Sequence, residues 1–301
     1  MYAREANEYQ TFTGTGTSVT AAGDDVDIDV LGPLAAREGG VSVAPTAAKP
    51  RKVLAMLTVH ADQVVPMASL FEELWGEAIP RSANTTVQTY ILHLRNLIGA
   101  ALEQSGATEV RDAKRILVTY PGGYLLDTMG GRVDVRDFDR LAAVGHRARE
   151  LGDFEAASKS FTEALAIWRG RALVDVQTGS LLEVEAHRLE EARLNVLDRR
   201  IDADLRLGRH HELLGELAGL VGRYRTHEGM HAHLMLALYR SGRRGEAIDM
   251  YRRLRTCLVN ELGLEPSPSL RRLQHAILMS DPRLSEQTTT EVNASLARAA
   301  G

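Results

Sequence analysis

The stretch SANTTVQTYILHLRNLIGAAL, residues 82 to 102, has the apolar pattern of a helix with one buried face. Its apolar positions Val87, Ile91, Leu94 and Ile98 are separated by four, three and four residues, so that in a helix they lie on one side. We therefore expect a helix over this stretch that packs its stripe into a core.

The opposite face of this helix carries no negative charge, although the chain as a whole is acidic. The 301 residues include 36 basic and 40 acidic side chains, for a net charge of −4, yet no acid lies between Glu77 and Glu103. A helix in the major groove of DNA needs donors and acceptors toward the base edges, and a carboxylate there would face phosphates. The pattern favours a recognition helix; the alternative is an ordinary amphipathic surface helix that lacks acids, and composition does not separate the two. This face carries Thr85, Gln88, Thr89, Leu92, His93, Arg95 and Asn96.

The segments around this helix predict an α+β domain over residues 26 to 130. β-Branched residues alternate with polar ones near its start, which favours short strands. A later glycine turn between two β-rich runs favours a hairpin, which would form a wing beside the helix. The predicted elements are two or three strands within 26–43, helices over 50–60 and 67–75, the helix above, and a hairpin over 115–126 that turns at Pro121-Gly122-Gly123.

Residues 131 to 284 have the pattern of an all-α domain with tetratricopeptide-like packing. Gly152, Gly208 and Gly242 are each followed by apolar residues five, nine and twelve positions later. The last two glycines are 34 residues apart, which is the tetratricopeptide period. The first two are 56 apart, which indicates an additional long helix between them.

The two ends of the chain lack apolar periodicity. Residues 1 to 25, which include TFTGTGTSVTAAGDD, are polar and rich in glycine and threonine. We expect a disordered tail there and a flexible tail over residues 285 to 301.

Composition argues against several classes of protein. The single cysteine, Cys257, cannot form an intramolecular disulfide, no run of 18 apolar residues occurs, and the start lacks the pattern of a secretory signal. A cytoplasmic location without membrane association is expected. Phosphate-loop and nucleophile-elbow motifs are missing, so neither an enzyme nor a cofactor is expected.

One motif suggests a different function. His227-Glu228-Gly229-Met230-His231 matches the H-E-x-x-H signature of zinc peptidases, and His233 lies nearby. A zinc peptidase places both histidines within a helix and needs a third ligand farther along, whereas here the motif falls at a helix start with glycine at its centre. We therefore expect solvent-facing histidines and no metal, and keep a zinc hydrolase as a rival hypothesis.

Segments of both halves resemble a known family. VLGPLAAREGGVSV, LFEELWGEAIPRSANTTVQTYILHLRNLIG and TYPGGYLLD are similar to the DNA-binding domain of the Streptomyces antibiotic regulatory proteins, which resembles the winged-helix output domain of response regulators. ALAIWRGRALVD, RLEEARLNVLDRRIDADLRLGRHHELLGEL and the segment from LMLALYRSG to LQHAIL resemble the bacterial transcriptional activation domain of that family. The chain is most similar to the small members, which carry no ATPase domain.

The resemblance implies a sequence-specific transcriptional activator. Such proteins bind short direct repeats at the promoter −35 element as side-by-side protomers. They contact RNA polymerase through its sigma subunit and through the C-terminal domain of its α subunit, and they commonly switch on antibiotic gene clusters. A tetratricopeptide-type adaptor that binds proteins and not DNA is the alternative.

The resemblance also implies which residues meet DNA. It places Gln88, Thr89, His93 and Arg95 on the DNA face, with Tyr90 near the backbone. From their positions along the helix, Gln88 and His93 are expected at base edges and Arg95 at a phosphate. The full predicted interface is Thr85, Thr86, Gln88, Thr89, Tyr90, His93 and Arg95 on the helix, with Tyr120, Gly122 and Gly123 at the wing turn.

Overall fold

A computed structural model describes residues 26 to 105 and 112 to 286. The predicted tail over residues 1 to 25 and the part of the C-terminal tail from residue 287 lie outside these ranges. Residues 285 and 286 belong to a short final helix rather than to a tail. The chain begins as an α+β region and continues as helices, as the sequence predicts.

The first sheet is an antiparallel meander of three short strands. It comprises β1 (Val26–Asp29), β2 (Ala35–Glu38) and β3 (Val41–Ser42), in that order across the sheet. Val26 pairs with Glu38, and the turn between β2 and β3 uses two glycines of positive φ. The strands predicted within residues 26 to 43 are confirmed.

Four helices and a second sheet complete the winged helix. The elements are α1 (Ala48–Val59), β4 (Val64–Pro66), α2 (Met67–Trp75), α3 (Ala83–Ser105), α4 (Ala113–Ile116), β5 (Leu117–Tyr120) and β6 (Gly123–Leu126). Helix α2 has the predicted bounds and ends at Gly76, where φ is +58°. The second sheet has the order β4-β6-β5, so the predicted hairpin is confirmed and gains a third strand.

Eight helices follow in the described residues. They are α5 (Asp134–Glu150), α6 (Phe154–Ala166), α7 (Ser180–Arg206), α8 (His210–Arg223), α9 (Glu228–Arg240), α10 (Arg244–Leu262), α11 (Pro268–Leu278) and α12 (Arg283–Glu286). At 27 residues, α7 is the additional long helix that the wider glycine spacing indicates.

The three repeated glycines make the same turn between paired helices. Gly152, Gly208 and Gly242 join α5 to α6, α7 to α8 and α9 to α10, with φ of +79°, +77° and +76°. In each turn the amide after the glycine donates to a carbonyl five residues earlier, as from Arg243 to Leu238 at 2.8 Å. This left-handed ending is a Schellman motif, which glycine adopts without steric cost. The predicted internal repeat is therefore a repeated helical hairpin.

The buried side chains form two cores, and the first one extends through the winged helix into the helical half. Its members run from Val26 in β1 to Ala203 in α7 and include Phe138 of α5 and Phe161 of α6. The second core lies among α7 to α12, from Ile201 to Leu284. The winged helix thus packs as one body with the first helical pair and most of α7.

Two buried carboxylates bind amides across this junction. The Asp134 carboxylate at the start of α5 accepts from the amides of Val30 and Leu31, both at 2.8 Å. Glu73 of α2 accepts from Leu181 and Leu182 at 3.0 Å, at the N-terminus of α7, where amides otherwise lack partners. The orientation of the winged helix on the helical half is therefore fixed by directed hydrogen bonds as well as by packing.

Candidate nucleic-acid interface

The apolar stripe of α3 lies in the first core, as predicted. Val87, Ile91, Leu94 and Ile98 are at most 2% exposed. This burial fixes the rotation of α3 about its axis, so its opposite side faces outward. The orientation of the predicted recognition surface therefore follows from core packing.

The outward side of α3 exposes most of the predicted helical contacts. Thr85, Gln88, Thr89 and His93 are exposed, while Thr86, Tyr90 and Arg95 are half-buried along the edges of this face. The hydroxyls of Thr86 and Thr89 donate to the carbonyls of Ser82 and Thr85, each at 2.9 Å. Their oxygen lone pairs remain available as acceptors toward an outside partner.

Arg95 joins α3 to the hairpin. Its Nε and Nη2 donate to the Leu117 carbonyl at 3.0 and 2.6 Å, and Nη2 also donates to Thr119 Oγ1 at 2.7 Å. These bonds leave Nη1 as the group that can reach an outside partner. The structure thus gives Arg95 a bracing role in addition to the predicted phosphate contact. The sequence pattern did not single out Thr119, because its role depends on a contact 24 residues away.

The wing turn combines an exposed tip with a tightly packed base. Tyr120 is 44% exposed, and Gly122 follows Pro121 with φ of +83°, as the third position of a type II turn requires. The Gly122 carbonyl accepts from the Met67 amide at 2.8 Å, which fixes the tip to the start of α2.

Gly123 does not face outward. It is buried, and a Cβ on this residue would collide with the carbonyl of Val65 in β4. Glycine is needed there for close packing of β6 on β4. Of the ten predicted residues, Gly123 is the one that the structure places inside.

Carboxylates are missing from both segments of this surface. No acid occurs between Glu77 and Glu103, and none occurs between Asp112 and Asp127. The second segment adds exposed Lys114 and Arg115 before the hairpin, two basic residues that the sequence pattern did not single out. We call the exposed side chains of residues 84 to 96 and 113 to 122 the acid-free surface. Such a surface can approach phosphates without repulsion from its own carboxylates.

The expectation of solvent-facing histidines was wrong for two of the three, because His231 of the H-E-x-x-H motif and nearby His233 are buried, whereas His227 of the motif is half-buried. His231 and His233 are 5% and 6% exposed. His227 Nδ1 accepts from the Met230 amide at 3.2 Å and so caps α9, while His231 Nδ1 lies 3.1 Å from the His227 carbonyl. Nδ1 of His227 and Nδ1 of His231 are thus both engaged in hydrogen bonds at the start of α9, where the motif suggested metal ligands.

Buried His233 pairs with half-buried Asp198 of α7, with His233 Nε2 and Asp198 Oδ1 2.8 Å apart. Burial by itself would raise the pKa of Asp198, but the hydrogen bond from His233 and its charge hold that pKa below the usual value. Across residues 26–105 and 112–286, no three histidine, cysteine or acidic side chains converge as metal ligands. None of the helices in the same ranges has both the length and the apolar character needed to cross a bilayer.

Comparison with known protein families assigns each half of the chain. Residues 43 to 126 match the family described as "Transcriptional regulatory protein, C terminal". Residues 133 to 278 match the "Bacterial transcriptional activator domain". The first match contains α3 and the hairpin, and the second begins at α5.

Similar proteins are regulators. The regulatory protein DnrI of Streptomyces peucetius is 51% identical over 257 residues, covering 85% of this chain and 93% of DnrI. The regulatory protein AfsR of Streptomyces griseus is 33% identical over 267 residues; the match covers 89% of this chain and only 26% of AfsR. Among solved structures, Mycobacterium tuberculosis EmbR in complex with a low affinity phosphopeptide superposes with a TM-score of 0.78 at 30% identity, over 91% of this chain and 70% of that one.

Proposed function

Because this chain belongs to the Streptomyces antibiotic regulatory protein family of transcriptional activators, we propose that it binds short direct repeats beside or overlapping the −35 element of its target promoters. Protomers bind side by side and recruit RNA polymerase. The controlled genes form an antibiotic or other secondary-metabolite cluster. The protein acts in the cytoplasm and associates with the nucleoid when it is bound to DNA.

The acid-free surface is the observation that carries this proposal. Core packing turns the polar side of α3 outward, and Arg95 holds the hairpin against the same helix. A helix for the major groove and a hairpin beside it are the two parts that a winged helix presents to a duplex.

The predicted contacts differ in the part of the DNA that each side chain can reach. Gln88 and His93 meet base edges, because they are exposed in the middle of the outward side. Thr85, Thr86, Thr89 and Tyr90 lie around them toward the sugar-phosphate backbone, and Tyr120 with Gly122 brings the wing to the adjoining groove. Arg95 braces the hairpin through Nε and Nη2 and contacts a phosphate through Nη1, and Gly123 lets the hairpin pack on β4.

The helical half provides the surfaces for protein partners. Contacts to the polymerase sigma subunit and to the C-terminal domain of its α subunit are proposed there on the basis of family membership, as are contacts between neighbouring protomers.

Footprinting on the promoter beside the gene for this protein tests the proposal. We expect protection of a direct repeat at the −35 element by the full chain, extended when RNA polymerase is added. Gln88→Ala should abolish the footprint at concentrations where Leu151→Ala, far from α3 in the chain, retains it. Uniform protection of unrelated DNA, or none, would contradict the proposal.

A protein-binding adaptor is the second candidate. The repeated helical hairpins favour it, as does an open hollow of about 610 Å³ lined by residues between Arg171 and Glu190. An adaptor would give no footprint and no shift of promoter DNA in a gel, so the same experiment separates the two functions.

A further inference from the structure

Over residues 84 to 96, the outward side of α3 contains one exposed side chain without a hydrogen-bonding group. From Asn84 to Asn96 every residue is described, and Leu92 is 59% exposed. The other fully exposed side chains in this segment are all polar: Asn84, Thr85, Gln88, Thr89, His93 and Asn96. Leu92 therefore stands alone as an apolar group within a polar surface.

The fold does not require leucine at this position. The buried stripe of α3 is already complete with Val87, Ile91, Leu94 and Ile98, and Leu92 lies outside it. Its exposed side chain is therefore open to contact with another molecule.

The position of Leu92 indicates which kind of chemical group it contacts. It follows Gln88 by four residues, so the two side chains are neighbours on the helix surface, and it immediately precedes His93. Both neighbours are proposed to meet base edges. Protein partners are usually met by contiguous apolar patches, whereas a single leucine flanked by polar groups suits a single small apolar group.

Thymine presents such a group in the major groove. Its C5 methyl is the apolar feature of the base edges there, and apolar side chains contact it. We propose that Leu92 recognises a thymine in each promoter repeat through this methyl group. The inference rests on the proposed function, since it requires α3 to lie in the major groove.

Replacement of thymine by deoxyuridine tests the contact, because it removes the methyl and leaves the hydrogen-bonding groups unchanged. The full chain is titrated with duplexes of the footprinted repeat in which each thymine is replaced singly. We expect wild-type affinity to fall about fourfold at one or two positions per repeat, the value of one methyl removed from water. Leu92→Ala should weaken binding to the unmodified repeat and show no loss at those positions.

Two further variants serve as controls. Leu92→Met keeps an apolar side chain of similar volume and should keep the difference between thymine and uracil. Leu151→Ala removes a more exposed leucine from the helical half and should behave as wild type. Leu92 is exposed, so none of these changes is expected to unfold the protein.

Equal wild-type affinity for every substituted duplex would overturn the inference, and so would a fourfold difference that persists in Leu92→Ala. Reduced transcription by Leu92→Ala with unchanged DNA affinity would assign Leu92 to a polymerase contact instead, which also overturns it. In each of these cases binding to the repeat is intact and the proposed function stands. Failure of the wild-type protein to prefer the repeat over scrambled DNA would overturn both.

Discussion

At the scale of single side chains, Arg95 decides how the wing is held. Its guanidinium bonds to Leu117 and Thr119 of β5 tie the hairpin to α3. We expect Arg95→Ala to lower the free energy of unfolding by about 1 to 2 kcal/mol, because hydrogen bonds from a charged group are lost. Arg115→Ala, which removes an exposed arginine from the same surface, should leave stability nearly unchanged. Urea denaturation of both variants measures this.

The salt dependence of DNA binding distinguishes bracing from a phosphate contact at Arg95. Loss of one phosphate contact would flatten the slope of log K against log salt by about 0.9. A brace alone predicts weaker binding with little change of slope, whereas the two roles together predict both lower stability and a flattened slope, which is the expected result for Arg95→Ala. An unchanged stability together with a flattened slope would show that Arg95 acts on a phosphate and not on the hairpin.

His231 gives a second prediction for a single residue, in the pH dependence of stability. Burial lowers its pKa below the ordinary 6.5, because the charged imidazolium is disfavoured. The unfolded chain therefore takes up this proton at higher pH than the folded chain. The contribution of neutral His231 to the free energy of unfolding is fully present above pH 6.5 and is lost as the pH falls toward the lowered pKa.

Two matched variants test this sign. His231→Asn does not titrate and keeps a donor near the His227 carbonyl, so its unfolding free energy should fall less than that of wild type between about pH 7.5 and about pH 5.5. His93→Asn removes an exposed histidine from α3 and should follow the wild-type curve. A wild-type slope in His231→Asn would show that the burial of His231 has no part in the pH dependence.

At the scale of elements, the helical hairpins depend on their turn glycines. Gly242 adopts φ of +76° with open space around its Cβ position, so alanine there is strained by backbone conformation alone. We expect Gly242→Ala to destabilise by about 1 to 2 kcal/mol. Gly215→Ala, at an exposed position in the middle of α8, should stabilise by about 0.5 to 1 kcal/mol. Thermal unfolding of the two variants should therefore shift in opposite directions, and a shift in the same direction would contradict the role of the turn.

The cap that Glu73 provides to α7 gives another prediction at this scale. Its carboxylate is buried and accepts from the amides of Gly179, Leu181 and Leu182. We expect Glu73→Ala to cost about 2 to 3 kcal/mol, because these amides lose a charged acceptor. Glu72→Ala, which removes the exposed neighbour, should cost little. Equal urea midpoints for the two variants would refute the cap.

The elements that the sequence predicts are those with a local signal. The stripe of α3, the bounds of α2 and the repeated glycine turns follow from spacing within one segment. β4 was missed because three residues that end in Pro66 are too short to show alternation, and its pairing partner lies about sixty positions later. The buried positions of His231 and His233 depend on packing against α7, and the reach of Glu73 spans 108 residues to Leu181. Contacts of this kind have no local signature.

At the scale of the whole molecule, the boundary between the two family matches is not a boundary of packing. The first core continues from β1 to α7, and Asp134 and Glu73 bind amides across the junction. The chain would thus present α3 to DNA and the helical half to polymerase in one fixed relative orientation. In a recruiting activator, that orientation sets where polymerase is held relative to the repeat.

Truncation tests whether the winged helix needs the helices that share its core. A fragment of residues 26 to 130 lacks Phe138, Phe161 and the α7 residues that complete the first core, whereas a fragment of residues 26 to 206 retains them. We expect the shorter fragment to unfold at a lower urea concentration and to bind the promoter repeat more weakly, because apolar side chains of β1 and α1 lose their cover.

The longer fragment should bind the repeat nearly as well as the full chain but fail to activate transcription in vitro, since it lacks α8 to α12. If the 26 to 130 fragment matched the longer one in urea midpoint and affinity, the shared core would have no part in presenting α3. Full activation by either fragment would show that α8 to α12, the helices around the second core, are not needed to contact polymerase.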